Sequence, residues 1–249
     1  MTGMTRSVRR LAAVLLAGGL ALAAGLAQAQ GGQTTAGNPV LKIGIIGTGN
    51  IGSALARLWV DAGHEVLIAS RHPEQLQALA DQLGPRARVG TPRQAAAFGD
   101  VVALAVPYAA TPQIGRDYAK EMAGKVVLDA GNPIPARDGP MAEQARELGA
   151  GLASKNFLPG VRLVRAFNAI SAGNLRSQAH RSGEKLAIPL AADDAGALEV
   201  ASALVRDAGF DPVIVGPLNS AKQFDYGSGI SGQMPTARQL REALGLKAE

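Results

Sequence analysis

The stretch LKIGIIGTGNIGSALARLWVDAGHEVLIASR, from Leu41 to Arg71, decides how this chain folds. It opens on an apolar, β-branched run, Leu41 to Ile46, that reads as a strand buried on both faces. Glycines 47, 49 and 52 follow with the spacing G-x-G-x-x-G. Ile51, Leu55, Leu58 and Ala62 then recur on one face at helical spacing, and Gly63 stands where a left-handed residue caps a helix. Val66 to Ala69 is a second buried strand, and it ends in Ser70-Arg71. Glycine spacing alone is weak evidence and fits a ligand-free turn. Between two strands and at the start of a helix, it reads as a dinucleotide-binding βαβ unit.

Each position has a physical reason. Gly47 makes the tight turn, Gly49 lets the backbone approach a pyrophosphate, and Gly52 lets the helix lie close to the sheet. Thr48, Asn50 and Ile51 complete the turn. The helix end presents unpaired N–H groups and the positive end of its dipole to phosphate. The nucleotide is chosen at the end of the second strand. NAD sites place an acid there for the ribose hydroxyls. Here Ser70, Arg71 and His72 come first, with no acid before Glu74. A hydroxyl and a guanidinium suit a 2′-phosphate, so the expected cofactor is NADP(H).

Working outward, helical spacing continues at Leu76, Leu79, Ala80 and Leu83, ended by Gly84-Pro85. Ala87–Val89, Val101–Val106, Val126–Leu128, Leu163–Phe167, Lys185–Leu190 and Pro212–Val215 read as strands. Helices are expected after Thr91-Pro92, over Thr111–Met122 and Ala195–Asp207, and over Ala237–Leu246. Alternation with short connections predicts an α/β fold: a doubly wound Rossmann-type parallel sheet, helices on both faces, and a short C-terminal helical extension. Ligands on such sheets bind at the carboxyl ends of strands. That rule selects Gly47–Gly52, Ser70-Arg71, Val106-Pro107-Tyr108, Asp129–Pro133 and Phe167-Asn168.

GTGNIGSALA, SRHPEQL, VVALAVPYAA, VVLDAGNP and VRAFNAI, in that order over Leu41 to Pro217, resemble the NADPH-dependent reductases of the deazaflavin coenzyme F420. The resemblance implies NADP held by Thr48 to Ile51, Ser70 and Arg71, with the nicotinamide near Val106 and Pro107. It implies a deazaflavin stacked on that nicotinamide, with Asn132, Phe167 and Asn168 around this acceptor. Asn132 is assigned to the cofactor; Phe167 and Asn168, with Tyr108 from the neighbouring strand end, are assigned to the substrate. One departure is Gln75, which stands where the family often has a second basic residue. The family also has relatives that reduce flavin or iron, so a flavin is a second option for the redox partner.

Transfer of a hydride between a nicotinamide and a flavin-like ring needs stacking and orientation more than a protein acid, so no catalytic acid or base is named. Tyr108 is the nearest candidate, against a role as a packing lid. A P-loop is excluded because GTGNIGSA lacks the Lys-Ser/Thr pair. No metal site is expected: His64-Glu65 lacks a second histidine and reads as a turn, and Asp193-Asp194 reads as a helix cap. Asp129 reads equally as a catalytic acid or as an acceptor of a backbone N–H. His180 reads as a loop residue, and Phe224–Met234 as either a mobile rim of the site or a linker. Two other functions stay open: reduction of a small imine or carbonyl, which needs a proton donor, and a non-enzymatic NADP-binding sensor.

The chain has 249 residues and no cysteine, which excludes disulfides and thiolate chemistry. Residues 1–29 read as a signal peptide, against a retained membrane anchor for which the run is short and rich in Gly and Ala: three arginines without an acid, an Ala/Leu/Gly run from Leu11 to Leu26, then Ala27-Gln28-Ala29 as a cleavage site. Residues 30–39 read as a flexible segment, 40–217 as the NADP-binding domain and 218–249 as a C-terminal loop and helix. The expected location is the periplasm, through the general or the twin-arginine route (Arg9-Arg10); initiation further downstream would leave the protein in the cytoplasm. The formal charge of +5 falls by three with Arg6, Arg9 and Arg10, so nothing favours nucleic acid or a membrane surface. The expected partner is a small-molecule redox acceptor, with no stable membrane insertion once the leader is cleaved, and the C-terminal helix leaves a homodimer open.

Overall fold

The structure is a computed structural model that describes residues 39–247. The expected leader and residues 30–38 lie outside the described residues. The element order is β1 (Lys42–Ile46), α1 (Asn50–Asp61), β2 (Glu65–Ala69), α2 (Gln77–Leu83), β3 (Ala87–Gly90), α3 (Pro92–Phe98), β4 (Val101–Leu104), α4 (Thr111–Met122) and β5 (Val126–Asp129). It continues with α5 (Pro135–Asp138), α6 (Pro140–Leu148), α7 (Ala150–Phe157), β6 (Arg162–Arg165), α8 (Ala172–Gln178), β7 (Ala187–Ala192), α9 (Ala195–Asp207), β8 (Asp211–Gly216) and α10 (Ala237–Leu244).

One eight-stranded sheet runs in the order β3-β2-β1-β4-β5-β6-β7-β8. Strands β1 to β6 are parallel, as their apolar runs and helical crossovers require. The sheet therefore divides its side chains by alternation into two cores. Ile43, Ile45, Val101 and Ala103 face Leu55, Trp59 and Leu204 of α1 and α9. Ile46, Val102, Leu104 and Val127 face Ala95, Ala96, Ile114 and Met122 of α3 and α4. Trp59 is fully buried, its indole N–H donates to the Leu204 carbonyl at 3.0 Å, and the two helices are thereby locked on one face.

Two features depart from the sequence reading. First, β7 pairs antiparallel to β6, through only Val164↔Ala192 and Arg165↔Ala191. β8 runs parallel to β7, so the last pair of strands points against the rest of the sheet. Because the overlap is short, β7 begins beyond the carboxyl end of β6 and walls that edge. Second, no element was expected where α8 lies or across residues 135–157, which hold the three helices α5 to α7. They are short, and Gly139 (φ 69) and Gly149 (φ 98) break them at their junctions, which erases a continuous periodic signal.

The C-terminal portion is fastened to the sheet. Leu240 of α10 is buried with Ala187 of β7 and Val213 of β8, and Gly245 (φ 64) ends the helix in the left-handed conformation, two residues short of the expected Leu246. The segment Phe224–Pro235 is held by Gly232 N–H to the Ala169 carbonyl at 2.9 Å and by Ala187 N–H to the Pro235 carbonyl at 2.8 Å. It is a strap against the end of β6, not a loose linker.

Candidate nucleotide and acceptor site

The turn after β1 has the shape the glycines demand. Gly47 sits at φ 97, and a β-carbon there would press on the Ala105 carbonyl and on Val106. A β-carbon on Gly52 would collide with the Gly47 carbonyl. Around Gly49 there is open space. Gly49 is also the N-cap of α1 and offers no side chain to the first-turn N–H groups, which are left for an anion. The Gly47 amide and the Thr48 hydroxyl both donate to the Ala69 carbonyl, at 2.9 and 3.0 Å. The phosphate turn and the end of β2 are thus one assembly.

At that end, Arg71 is exposed and makes no hydrogen bond or ion pair among the described residues. Ser70 Oγ accepts from the His72 amide at 3.0 Å, and His72 Nδ1 lies 3.3 Å from Glu74 Oε1 in an exposed pair. Asn50 and Ile51 open the helix, and the Asn50 carbonyl meets Nη1 of Arg176 from α8 at 3.5 Å. Arg176 adds a cation beside the phosphate turn that the sequence reading missed. Its signal lay only in tertiary packing of α8 on α1.

The residues expected at the nicotinamide lie beyond the carboxyl ends of β4 and β5. Val106, half-buried, lies against Gly47, and Gly131 lies against Val106 and Tyr108. β4 ends at Leu104, so Val106 and the exposed Pro107 belong to a bend rather than to the strand. Asn132 Nδ2 donates to the Asn168 carbonyl at 2.7 Å, and Asn168 Nδ2 donates to the Phe224 carbonyl at 3.3 Å. Asn132 Oδ1 and Asn168 Oδ1 are buried acceptors with no partner. Such groups want an N–H donor, and a nicotinamide carboxamide or the imide of a flavin-like ring offers one. The residues present fit a dinucleotide laid from Arg71 across Gly49 to Asn132.

Two substrate-side expectations need correction. Tyr108 has no exposed surface; its hydroxyl lies 2.9 Å from the Ala150 carbonyl and 2.9 Å from Ser154 Oγ. Burial, and then the nearby Asp129 carboxylate, push its phenol well above the ordinary range, so the hydroxyl stays protonated near neutrality, held inside the core. The Phe167 ring is also buried, edge-on to Trp59 at 5.9 Å, and contributes to the core rather than to a ligand face. Its backbone sits at φ 61, a left-handed conformation that costs a non-glycine residue about 1–3 kcal/mol. That bend carries the chain out of β6 into Asn168.

Beneath these residues lies a polar core. Asp129 Oδ1 accepts from the Gly131 amide at 2.8 Å, the structural alternative for this residue. Its Oδ2 accepts from Ser154 Oγ at 2.6 Å and from Arg165 at 2.9 Å. Arg165 is fully buried; burial opposes its charge, but Asp129 and Asp225 hold the guanidinium above its ordinary pKa. The hint was an arginine inside the apolar run Leu163–Phe167. Elsewhere, Asp194 caps α9 through the Ala197 amide at 2.8 Å, as expected, and His180 is an exposed loop residue. His64 is buried rather than a free turn residue: Nδ1 accepts from the Leu41 amide at 3.1 Å and Nε2 lies 3.0 Å from Asp207.

A mostly parallel sheet with this glycine turn and a basic strand end is a nucleotide-binding domain of Rossmann type whose residues fit NADP(H). Residues 42–133 match the family model described as NADP oxidoreductase, coenzyme F420-dependent. The F420-dependent NADP reductase of Methanothermobacter thermautotrophicus is 34% identical over 180 residues, covering 67% of this chain and 77% of that one. The chain belongs to this coenzyme F420-dependent NADP oxidoreductase family. The metalloreductase STEAP3 of Rattus norvegicus is 29% identical over 187 residues, 74% of this chain but 36% of its own length, so the chain spans about a third of that relative. A solved structure from Sinorhizobium meliloti superposes with a TM-score of 0.68 at 27% identity, covering 80% of this chain and 96% of that one.

Proposed function

We propose that this protein moves a hydride between NADP(H) and a flavin-like or deazaflavin acceptor, with coenzyme F420 as the first choice, after export to the periplasm. NADP(H) would lie across Gly47, Thr48, Gly49, Asn50, Ile51 and Gly52, with Ser70 and Arg71 on the 2′-phosphate and Val106, Pro107 and Asn132 at the nicotinamide. Asn168 would meet the acceptor. The observation that carries the reading is the buried hydroxyl of Tyr108, held between the Ala150 carbonyl and Ser154 Oγ. Reduction of an imine or carbonyl needs a proton donor beside the nicotinamide, and the residue best placed in sequence to be one is spent inside the core. A flavin-like ring accepts the hydride itself, and what it needs from the protein is stacking and orientation.

The metalloreductase relative favours a second reading, in which the electrons leave through a flavin to a metal ion. The test is absorbance of the purified protein with NADPH and, in separate samples, F420, a free flavin, and a flavin with a ferric chelate. Bleaching of the deazaflavin band with NADPH, and little with NADH, supports the first reading. NADPH oxidation only with flavin supports the second. Tight NADPH binding with no acceptor reduced would leave a sensor and sink both.

A further inference from the structure

Arg165 joins the Asp129–Asn132 turn to the segment that begins at Phe224. Its Nη1 donates to Asp129 Oδ2 at 2.9 Å and to the carbonyls of Asp129 and Gly131 at 3.1 and 2.7 Å. Its Nη2 donates to Asp225 Oδ1 at 2.9 Å, and Asp225 Oδ2 accepts from the Ala150 amide at 3.0 Å. Gly131 immediately precedes Asn132, at the nicotinamide end. Asp225 opens the strap Phe224–Pro235. A second path runs in parallel, from Asn132 to Asn168 to the Phe224 carbonyl. A buried ion pair is a poor way to gain stability, since apolar residues of similar volume often serve as well. A guanidinium with fixed donor directions is, however, a good way to hold two segments in one relative position.

We propose that Arg165 is a positioning residue that couples the strap to the nucleotide site. A nicotinamide hydrogen-bonded at Asn132 fixes the Asp129–Asn132 turn, and Arg165 carries that constraint to Asp225, so that nucleotide binding orders the strap beside Asn168. This rests on the NADP reading of the glycine turn, not on the identity of the acceptor.

The experiment is hydrogen exchange of the full chain with and without saturating NADPH, with binding followed separately by NADPH fluorescence. In the unaltered protein, NADPH should slow exchange across 224–235 by about fivefold, a coupling of ordinary size. In Asp225→Asn the slowing should fall below about twofold, the remainder carried by the path through Asn168, while NADPH affinity stays within about twofold because the phosphate contacts are untouched. Arg165→Lys keeps the charge but cannot span both carboxylates and both carbonyls; it should give the same result and serves if Asp225→Asn fails to fold. A strap that exchanges faster in either folded variant yet is still slowed about fivefold by NADPH would overturn the proposal, leaving Arg165 as packing. So would an unaltered protein that binds NADPH without protecting the strap. Absence of NADPH fluorescence change would instead remove the nucleotide reading, and the coupling with it.

Discussion

The hydroxyl of Tyr108 and Oγ of Ser154 meet at 2.9 Å inside the core, and Ser154 passes the contact on to Asp129 at 2.6 Å. A residue at the carboxyl end of β4, where chemistry would be sought first, is therefore part of the scaffold under the site. Tyr108→Phe should lose about 1–2 kcal/mol of stability, because the Ala150 carbonyl and Ser154 lose a buried partner. Denaturant unfolding checks the first half of this. The rate of NADPH oxidation with the working acceptor should change by no more than about threefold, whereas loss of a general acid costs a hundredfold or more. A hundredfold fall in a fully folded variant would restore Tyr108 as an acid.

Gly49 separates binding from folding. Its β-position is open space and its φ is −83, which alanine adopts without strain. Gly49→Ala should cost about 0.5–1 kcal/mol of stability, the usual effect of alanine in place of glycine at an N-cap, and leave the protein folded. The added methyl group stands where the pyrophosphate must approach, so NADPH affinity should fall by about tenfold or more. Equal affinities by isothermal titration would mean that the dinucleotide does not cross this turn.

Arg71 is free to take a phosphate, and Gln75, the departure from the family pattern, is also exposed. Arg71→Asp should cost about 1.5–3 kcal/mol of NADPH binding, the worth of a hydrogen bond to a charged group. NADH binding should change little or improve, since an acid at this position accepts from ribose hydroxyls. Parallel titrations with the two nucleotides check it, and unchanged NADPH affinity would remove the case for NADP preference.

Asp194 predicts an acid-side dependence of stability. The Arg162 guanidinium, then the Ala197 amide, hold its carboxyl down to about 2. The unfolded carboxyl titrates near 3.9, so the folded state binds the proton less readily. The contribution is fully present above about pH 4 and is lost as pH falls through 4 toward 2. Asp194→Asn should flatten that part of the stability profile and leave its slope above about pH 5 unchanged. Circular dichroism melts across the acid range read it directly.

Signal peptidase should cut after Ala29, giving a mature chain that begins at Gln30. Intact mass of protein recovered from the periplasm checks this. A full-length cytoplasmic product would exclude the export reading.

The order of strands, glycine turn and first helix was legible in Leu41–Arg71 because every rule involved is local: period-two and helical spacing, glycine sterics, and the absence of an acid after β2. The ends of β5 and β6 were selected as candidate positions for a similar reason, since the carboxyl-edge rule needs only the list of strands. Sequence left Tyr108 open between a lid and an acid, and placed Phe167 beside the acceptor. Choosing differently required knowing that α7 brings Ser154 under Tyr108 and that α1 brings Trp59 against Phe167. The reversal of β7 depends on how the chain returns from α8, and no local signal marks it. Arg165 shows the limit most plainly. It lies 36 residues from Asp129 and 60 from Asp225 along the chain. Only sheet order and the docking of the strap bring the three charges together, because burial of an arginine is tolerable only where folding delivers its partners.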